Sequence, residues 1–77
     1  EETMIHVDMK CFQINKEMDL TLDDTVSGEE LLTELAGIFS FEKENIHIIS
    51  TRKKKILAKD LPLSKQGVMG GDTLILI

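Results

Sequence analysis

The side chains with reactive potential are few, and their spacing argues against catalysis. Cys11 is the single cysteine, and with His6 it suggests a thiol–imidazole pair. The two stand five positions apart in an alternating stretch, and an odd separation along a strand sends side chains to opposite faces. Cys11 therefore reads as an ordinary, partly buried small residue. His47, between Ile46 and Ile48, is expected at the surface, with no second ligand at metal spacing beside it. Asp23, Asp24, Glu29 and Glu30 flank an expected helix start and read as capping or solvated groups. No Ser/His/Asp order, phosphate loop or G-x-G-x-x-G motif stands in the chain. A lone cysteine also excludes an internal disulfide, a four-thiolate zinc ribbon and a four-cysteine iron–sulfur site. These residues predict no catalytic group, no metal and no cofactor; binding remains.

Composition narrows the binding partner. The 77 residues are 42% hydrophobic and 30% charged, which suits a folded domain and sets the expected domain at residues 1–77. Net charge is −5, unevenly placed: residues 1–44 carry −9 and residues 45–77 carry +4. An acidic chain repels phosphate, so nucleic acid is not expected as a partner. Arg52-Lys53-Lys54-Lys55 is the local exception. It reads as a solvated hairpin tip, or as an electrostatic contact for an acidic partner surface or lipid headgroups. The longest apolar run, Leu74–Ile77, is far short of the roughly 20 residues of a membrane span. No basic segment precedes an apolar one as in a signal peptide. The expected setting is cytoplasmic, without direct membrane insertion.

The periodicity supplies the elements that position these groups. Met4 to Cys11 and Glu17 to Asp23 alternate with period two, and the polar turn Gln13–Lys16 joins them as an antiparallel hairpin. Ser27-Gly28-Glu29-Glu30 has capping-box spacing, with Thr25 as a competing cap. Leu31, Leu35 and Ile38, with Leu32, Ala36 and Phe39 beside them, predict one inward helical stripe ending by Ser40. A strand is expected at Ile46–Thr51, a short one at Lys55–Ala58 and a last one at Thr73–Ile77. Pro62 interrupts the crossover between the last two, and Gly70-Gly71-Asp72 turns into the final strand. The expected class is α+β, a β-grasp: a mixed four- to five-stranded sheet packed on one helix, in the order ββαβββ. A ferredoxin-like fold needs a second helix that residues 59–71 cannot supply.

Leu57, Leu63-Ser64, Val68, Gly71-Asp72-Thr73-Leu74 and Leu76 resemble the closing third of ubiquitin-like proteins, and Thr25-Val26 entering the helix fits the same pattern. Gln66 stands where such folds often carry a loop-locking tyrosine, and Lys65 where aspartate is common. Conjugating members and sulfur carriers need a terminal Gly-Gly tail, whereas the diglycine here, Gly70-Gly71, precedes a strand. With the sequence ending at Ile77, no conjugation chemistry is expected. The stretch Leu63–Leu74 most resembles the YukD-like family of bacterial type VII secretion systems. That resemblance implies a non-enzymatic, accessory or regulatory component that binds another protein of the secretion machinery, as a monomer or weak homodimer. Two alternatives stay open: a modifier or sulfur carrier whose tail has been removed, and the excised cytoplasmic ubiquitin-like domain of a membrane component.

Alternation then selects a surface. If Leu74, Leu76, Ile46 and Ile48 face the helix, Ile75, Ile77, His47 and Ile49 face away. In a β-grasp sheet the third and last strands are neighbours. His47, Ile49, Ile75 and Ile77 are thus the expected protein-binding patch, on the face that ubiquitin-like domains commonly use. Arg52, Lys53, Lys54 and Lys55 stand beside it as a possible electrostatic contact.

Overall fold

Alternation from Met4 onward becomes strand β1 (Met4–Cys11) in the computed structural model, which describes residues 4–77. The first three residues of the expected 1–77 domain lie outside the described residues. Ile5, Val7, Met9 and Cys11 are buried, while Met4, His6 and Asp8 face solvent. Cys11 and His6 do lie on opposite faces, and Cys11 is fully rather than partly buried. A 3-10 turn at Phe12–Ile14, closed by Asn15 at φ 53°, reverses the chain into β2 (Lys16–Asp23). Asparagine tolerates that left-handed backbone better than most residues. The hairpin pairs from Met4 with Asp23 to Cys11 with Lys16.

Helix α1 (Gly28–Phe39) opens with the expected capping box. Ser27 Oγ accepts from the Glu30 N–H at 3.1 Å, and Glu30 Oε1 accepts from the Ser27 N–H at 3.1 Å. Thr25 does not compete as a cap; its N–H and hydroxyl both donate to Asp23 Oδ1. Ser40, at φ 60°, ends the helix by donating to the Ala36 carbonyl at 2.8 Å. Gly28 is required by packing: a Cβ there would stand 2.9 Å from the Ala58 carbonyl oxygen. That close approach lets the Glu29 N–H donate to the Lys59 carbonyl at 2.9 Å, satisfying one of the amides that a helix start leaves unpaired.

Leu31, Leu32 and Leu35 form the buried stripe, with Ala36 and Phe39 half-buried. Ile38 corrects the expectation, since it is 58% exposed. It lies at the sheet's edge strand, where the groove that it lines with Leu20, Leu22 and Leu35 stays open to solvent. A seven-residue spacing from Leu31 fixes the side of a helix, and says nothing of where the sheet beneath it ends.

Three further strands complete the sheet: β3 (Ile48–Ser50), β4 (Lys55–Ile56) and β5 (Thr73–Leu76). The order is β2-β1-β5-β3-β4, with β5 parallel to β1 and every other pair antiparallel. This is the expected mixed sheet on one helix. The three late strands are shorter than the alternation predicts, for local reasons. A 3-10 turn at Lys43–Asn45 takes the Ile46 N–H, so β3 starts at Ile48. Ala58 is drawn out of β4 because its N–H and carbonyl are both bonded to the Gln66 side chain. Ile77 falls just beyond β5, yet still exchanges two backbone hydrogen bonds with His47, at 2.8 and 2.9 Å.

The core lies between α1 and the inner sheet face, and Leu57, Leu63 and Val68 close one end of it. Between them Leu63–Gln66 forms a 3-10 turn. Gln66 is buried at 5% exposure, accepting from the Ala58 N–H at 2.6 Å and donating to the Ala58 and Leu61 carbonyls. It thus pins the crossover by three hydrogen bonds at the position where ubiquitin-like folds often carry a tyrosine. Gly71 supplies the positive φ, 90°, that turns the chain into β5.

Candidate protein-binding surface

The outer sheet face is organised by one line of paired residues. Glu17, Lys10, Ile75, Ile49 and Ile56 are successive Cα partners across all five strands. At the β2–β1 end of this line Lys10 Nζ stands 3.4 Å from a Glu17 carboxylate oxygen. At the other end three isoleucines follow one another on β5, β3 and β4. Ile75 and Ile49 are half-buried, and Ile56 is 58% exposed.

His47 and Ile77, both exposed, pair with each other just beyond the ends of β3 and β5. The structure therefore brings together all four residues of the expected patch. It adds Ile56, which sequence reasoning missed. The signal was available: Leu57 is core, so its neighbour on a strand must point the other way.

The basic turn beside the isoleucines is held from below. Asp72 is 2% exposed and accepts from Ser50 Oγ at 2.6 Å and from the Arg52 N–H at 3.2 Å. Ser50, fully buried, accepts in turn from the Lys53 N–H at 3.2 Å. Arg52 Nη1 also donates to the Gly67 carbonyl at 3.2 Å. Lys54 takes φ 56°, and its N–H closes the turn on the Ser50 carbonyl at 2.7 Å. The turn thus has fixed backbone geometry while Arg52, Lys53, Lys54 and Lys55 remain exposed. No sequence motif announced Asp72 in this role, because its partners are set by β3–β5 pairing.

The rest of the outer face is different. Asp8 and Asp19 are directly opposed on β1 and β2. The hydrogen bond that a protonated Asp8 carboxyl donates to Asp19, reinforced by the like charge of Asp19, raises Asp8 above its ordinary pKa, and Lys10 offsets this only in part. His6 Nδ1 lies 2.8 Å from the Thr21 hydroxyl. His6, Asp8, Asp19 and Gly71 border an open hollow of about 290 Å³. Among the described residues no three His, Cys, Asp or Glu side chains are placed to share a metal ion. No helix among them is long and apolar enough to cross a membrane.

No known family profile matches the chain, and no curated protein matches its sequence. Solved structures do match its shape. It is similar to the ubiquitin-like domain of an Arabidopsis thaliana protein, with TM-score 0.81 and 17% identity over 96% of this chain and 76% of that one. It is also similar to the ubiquitin-like domain of Plasmodium falciparum Dsk2, with TM-score 0.76 and 22% identity over 97% of this chain and all of that one. A third similarity is to a structure of ATBAG1 in complex with HSP70, with TM-score 0.78 and 20% identity over 96% of this chain and 40% of that one. At such identities the likeness speaks for fold and leaves function open. Together with the ββαβββ order and the mixed five-stranded sheet, it establishes that this chain has the ubiquitin-like β-grasp fold.

Proposed function

We propose that this chain is a non-enzymatic protein-binding module that docks its partner on the outer face of β3, β4 and β5. The observation that carries this reading is the unbroken row Ile75–Ile49–Ile56, aliphatic residues side by side on the solvent face of three adjoining strands. Contiguous exposed aliphatics mark interaction surfaces, whereas scattered ones do not. Ile77 and His47 extend the row along β5 and β3, and the turn Arg52–Lys55 supplies positive charge at its border. The contact is aliphatic at its centre and basic at its rim, so the fitting partner presents an apolar anchor flanked by carboxylates.

The finer assignment is an accessory component of a bacterial type VII secretion system, cytoplasmic and binding another part of that machinery. It rests on the resemblance of Leu63–Leu74 alone. The genomic sequence that continues past Ile77 separates it from its rivals. A stop codon favours the free binding protein, a short tail ending in Gly-Gly favours a modifier or sulfur carrier, and a long hydrophobic continuation favours the membrane component.

The surface itself is tested by the pair Ile49→Asp with Ile75→Asp. Capture of the partner from the native host is expected to disappear while far-ultraviolet circular dichroism stays near that of the unaltered protein. Undiminished capture by a folded double variant sinks the proposal. Loss of folding would show that these two residues serve the core, and Ile56→Asp then carries the test, because Ile56 is exposed.

A further inference from the structure

Among the described residues both outer strands of the sheet, β2 and β4, have an open edge, and the longer of them, β2, is chemically biased. The phase of hydrogen bonding in β1 decides which β2 groups are left over. The Gly71 N–H donates to the His6 carbonyl and the Asp8 N–H donates to the Asp72 carbonyl, so the even residues of β1 are turned toward β5. Val7 and Met9 therefore bond to their partners Leu20 and Met18 on β2. In an antiparallel ladder the intervening residues, Glu17, Asp19 and Thr21, then aim N–H and C=O away from β1. Among the described residues no other strand pairs with β2.

The two faces of that edge differ. On the outer face Asp19 stands against Asp8, and Lys10 is shared with Glu17, whose carboxylate lies 3.4 Å from its ammonium. On the inner face Leu20, Leu22, Leu35 and Ile38 line a shallow open groove of about 70 Å³, with Glu34 at its border. Ile38 is a large aliphatic left 58% exposed there. Unpaired strand edges are templates for another strand.

We propose that β2 accepts an extended peptide as a sixth strand, and that this peptide alternates basic and apolar residues. Its backbone bonds to the outward amides and carbonyls of Glu17, Asp19 and Thr21. With period two, one set of its side chains falls over the inner groove, against Leu20, Leu22 and Ile38. The other set lies over the outer face beside Asp19 and Asp8, two carboxylates that face each other and whose repulsion Lys10 offsets only in part. A cation there is electrostatically favoured, and an acidic peptide adds a third negative charge to an opposed pair. A second copy is the weaker occupant, because its basic edge, β4, offers two residues to an eight-residue strand.

The test is a titration of the isotope-labelled chain with a synthetic peptide alternating lysine and valine, against a control alternating glutamate and valine. Shift changes are expected at Leu20, Leu22 and Ile38, with slowed amide exchange at Glu17, Asp19 and Thr21. The glutamate peptide is expected to leave the spectrum unchanged. Asp19→Lys and Ile38→Ser are each expected to weaken the lysine peptide about tenfold or more. Both positions are exposed, so both variants should fold, and Glu34→Lys replaces the first if circular dichroism shows otherwise. Equal binding of the glutamate peptide overturns the proposal, as does the absence of saturable binding. Shifts confined to Ile49, Ile56 and Ile75 also overturn it. So does concentration-dependent dimerisation that uses this edge while the peptide does not bind.

Discussion

One sheet carries two outer surfaces built on opposite logic. Over β3, β4 and β5 the outward-facing row Ile49, Ile75 and Ile56 is aliphatic, and the adjoining turn is anchored from inside by Asp72 and Ser50. Over β1 and β2 the outward positions are mostly polar or charged, and two carboxylates oppose each other. The first region combines apolar surface with a backbone held by buried hydrogen bonds, a combination suited to a contact that must be presented in one geometry. The second retains a repulsion that a neutral residue at either position would remove. Stability alone accounts for neither arrangement: the isoleucine surface left in solvent, largest at Ile56, gains nothing from folding, and opposed aspartates oppose it.

The contrast breaks most visibly at Asp72. Asp72→Ala leaves the Ser50 hydroxyl and the Arg52 N–H without their acceptor, at a cost of about 2–3 kcal/mol for unsatisfied buried groups. In a domain of this size that lowers Tm by roughly 10–20 °C. Thermal melts followed by circular dichroism measure it. A change of only a degree or two would mean that water or a shifted turn replaces the carboxylate, and that the aliphatic end is not held as described.

A smaller effect is expected from Asp19→Asn, and in the opposite direction. Because its hydrogen bond with Asp19 raises Asp8, the folded chain holds that proton more tightly than the unfolded chain does. Stability from this pair is therefore gained as pH falls through the raised value toward the ordinary carboxylate range, and the penalty is fully present above it. Asp19→Asn should raise Tm at neutral pH, and the gain should shrink on acidification. Denaturant midpoints across that range measure it, and a gain independent of pH would contradict the opposed-carboxylate account.

The smallest effect belongs to Lys43. Its ammonium stands 2.6 Å from Glu29 Oε1 and holds the Glu29 carboxyl below its ordinary pKa, chiefly through that hydrogen bond. The folded value is depressed, so this contribution is present above the ordinary value and lost as pH falls through the folded one. Lys43→Met should return the Glu29 titration, read by carbon-detected NMR, toward its ordinary value. Tm should hardly change, because exposed ion pairs contribute little. A large drop in Tm would place Lys43 among the structural residues instead.

Much of this was readable from residue order. The period-two runs Met4–Cys11 and Glu17–Asp23 set the hairpin, and Ser27 with Glu30 set the helix start. Strand parity separated Ile49 and Ile75 from Ile48 and Leu76. What escaped was whatever depends on register between distant strands. Asp8 and Asp19 each look like ordinary solvated carboxylates until pairing opposes them. Asp72 looks like a turn residue until Ser50 is placed beneath it. Ile38 obeys the helical stripe, and is exposed only because the stripe outruns the buried part of the sheet. Ile56 was obscured by the basic run before it, although its neighbour Leu57 fixed its direction.

The central claim, that partners dock on the isoleucine row, is tested most directly by site-specific photo-crosslinking in the native host. A photoreactive residue at position 56 is compared with one at position 37, an exposed site on the helix with open space around it. A discrete crosslinked adduct is expected from position 56 that Ile49→Asp with Ile75→Asp abolishes, and none from position 37. Adducts of equal yield from both positions, or an adduct from position 56 that survives the double substitution, would contradict it.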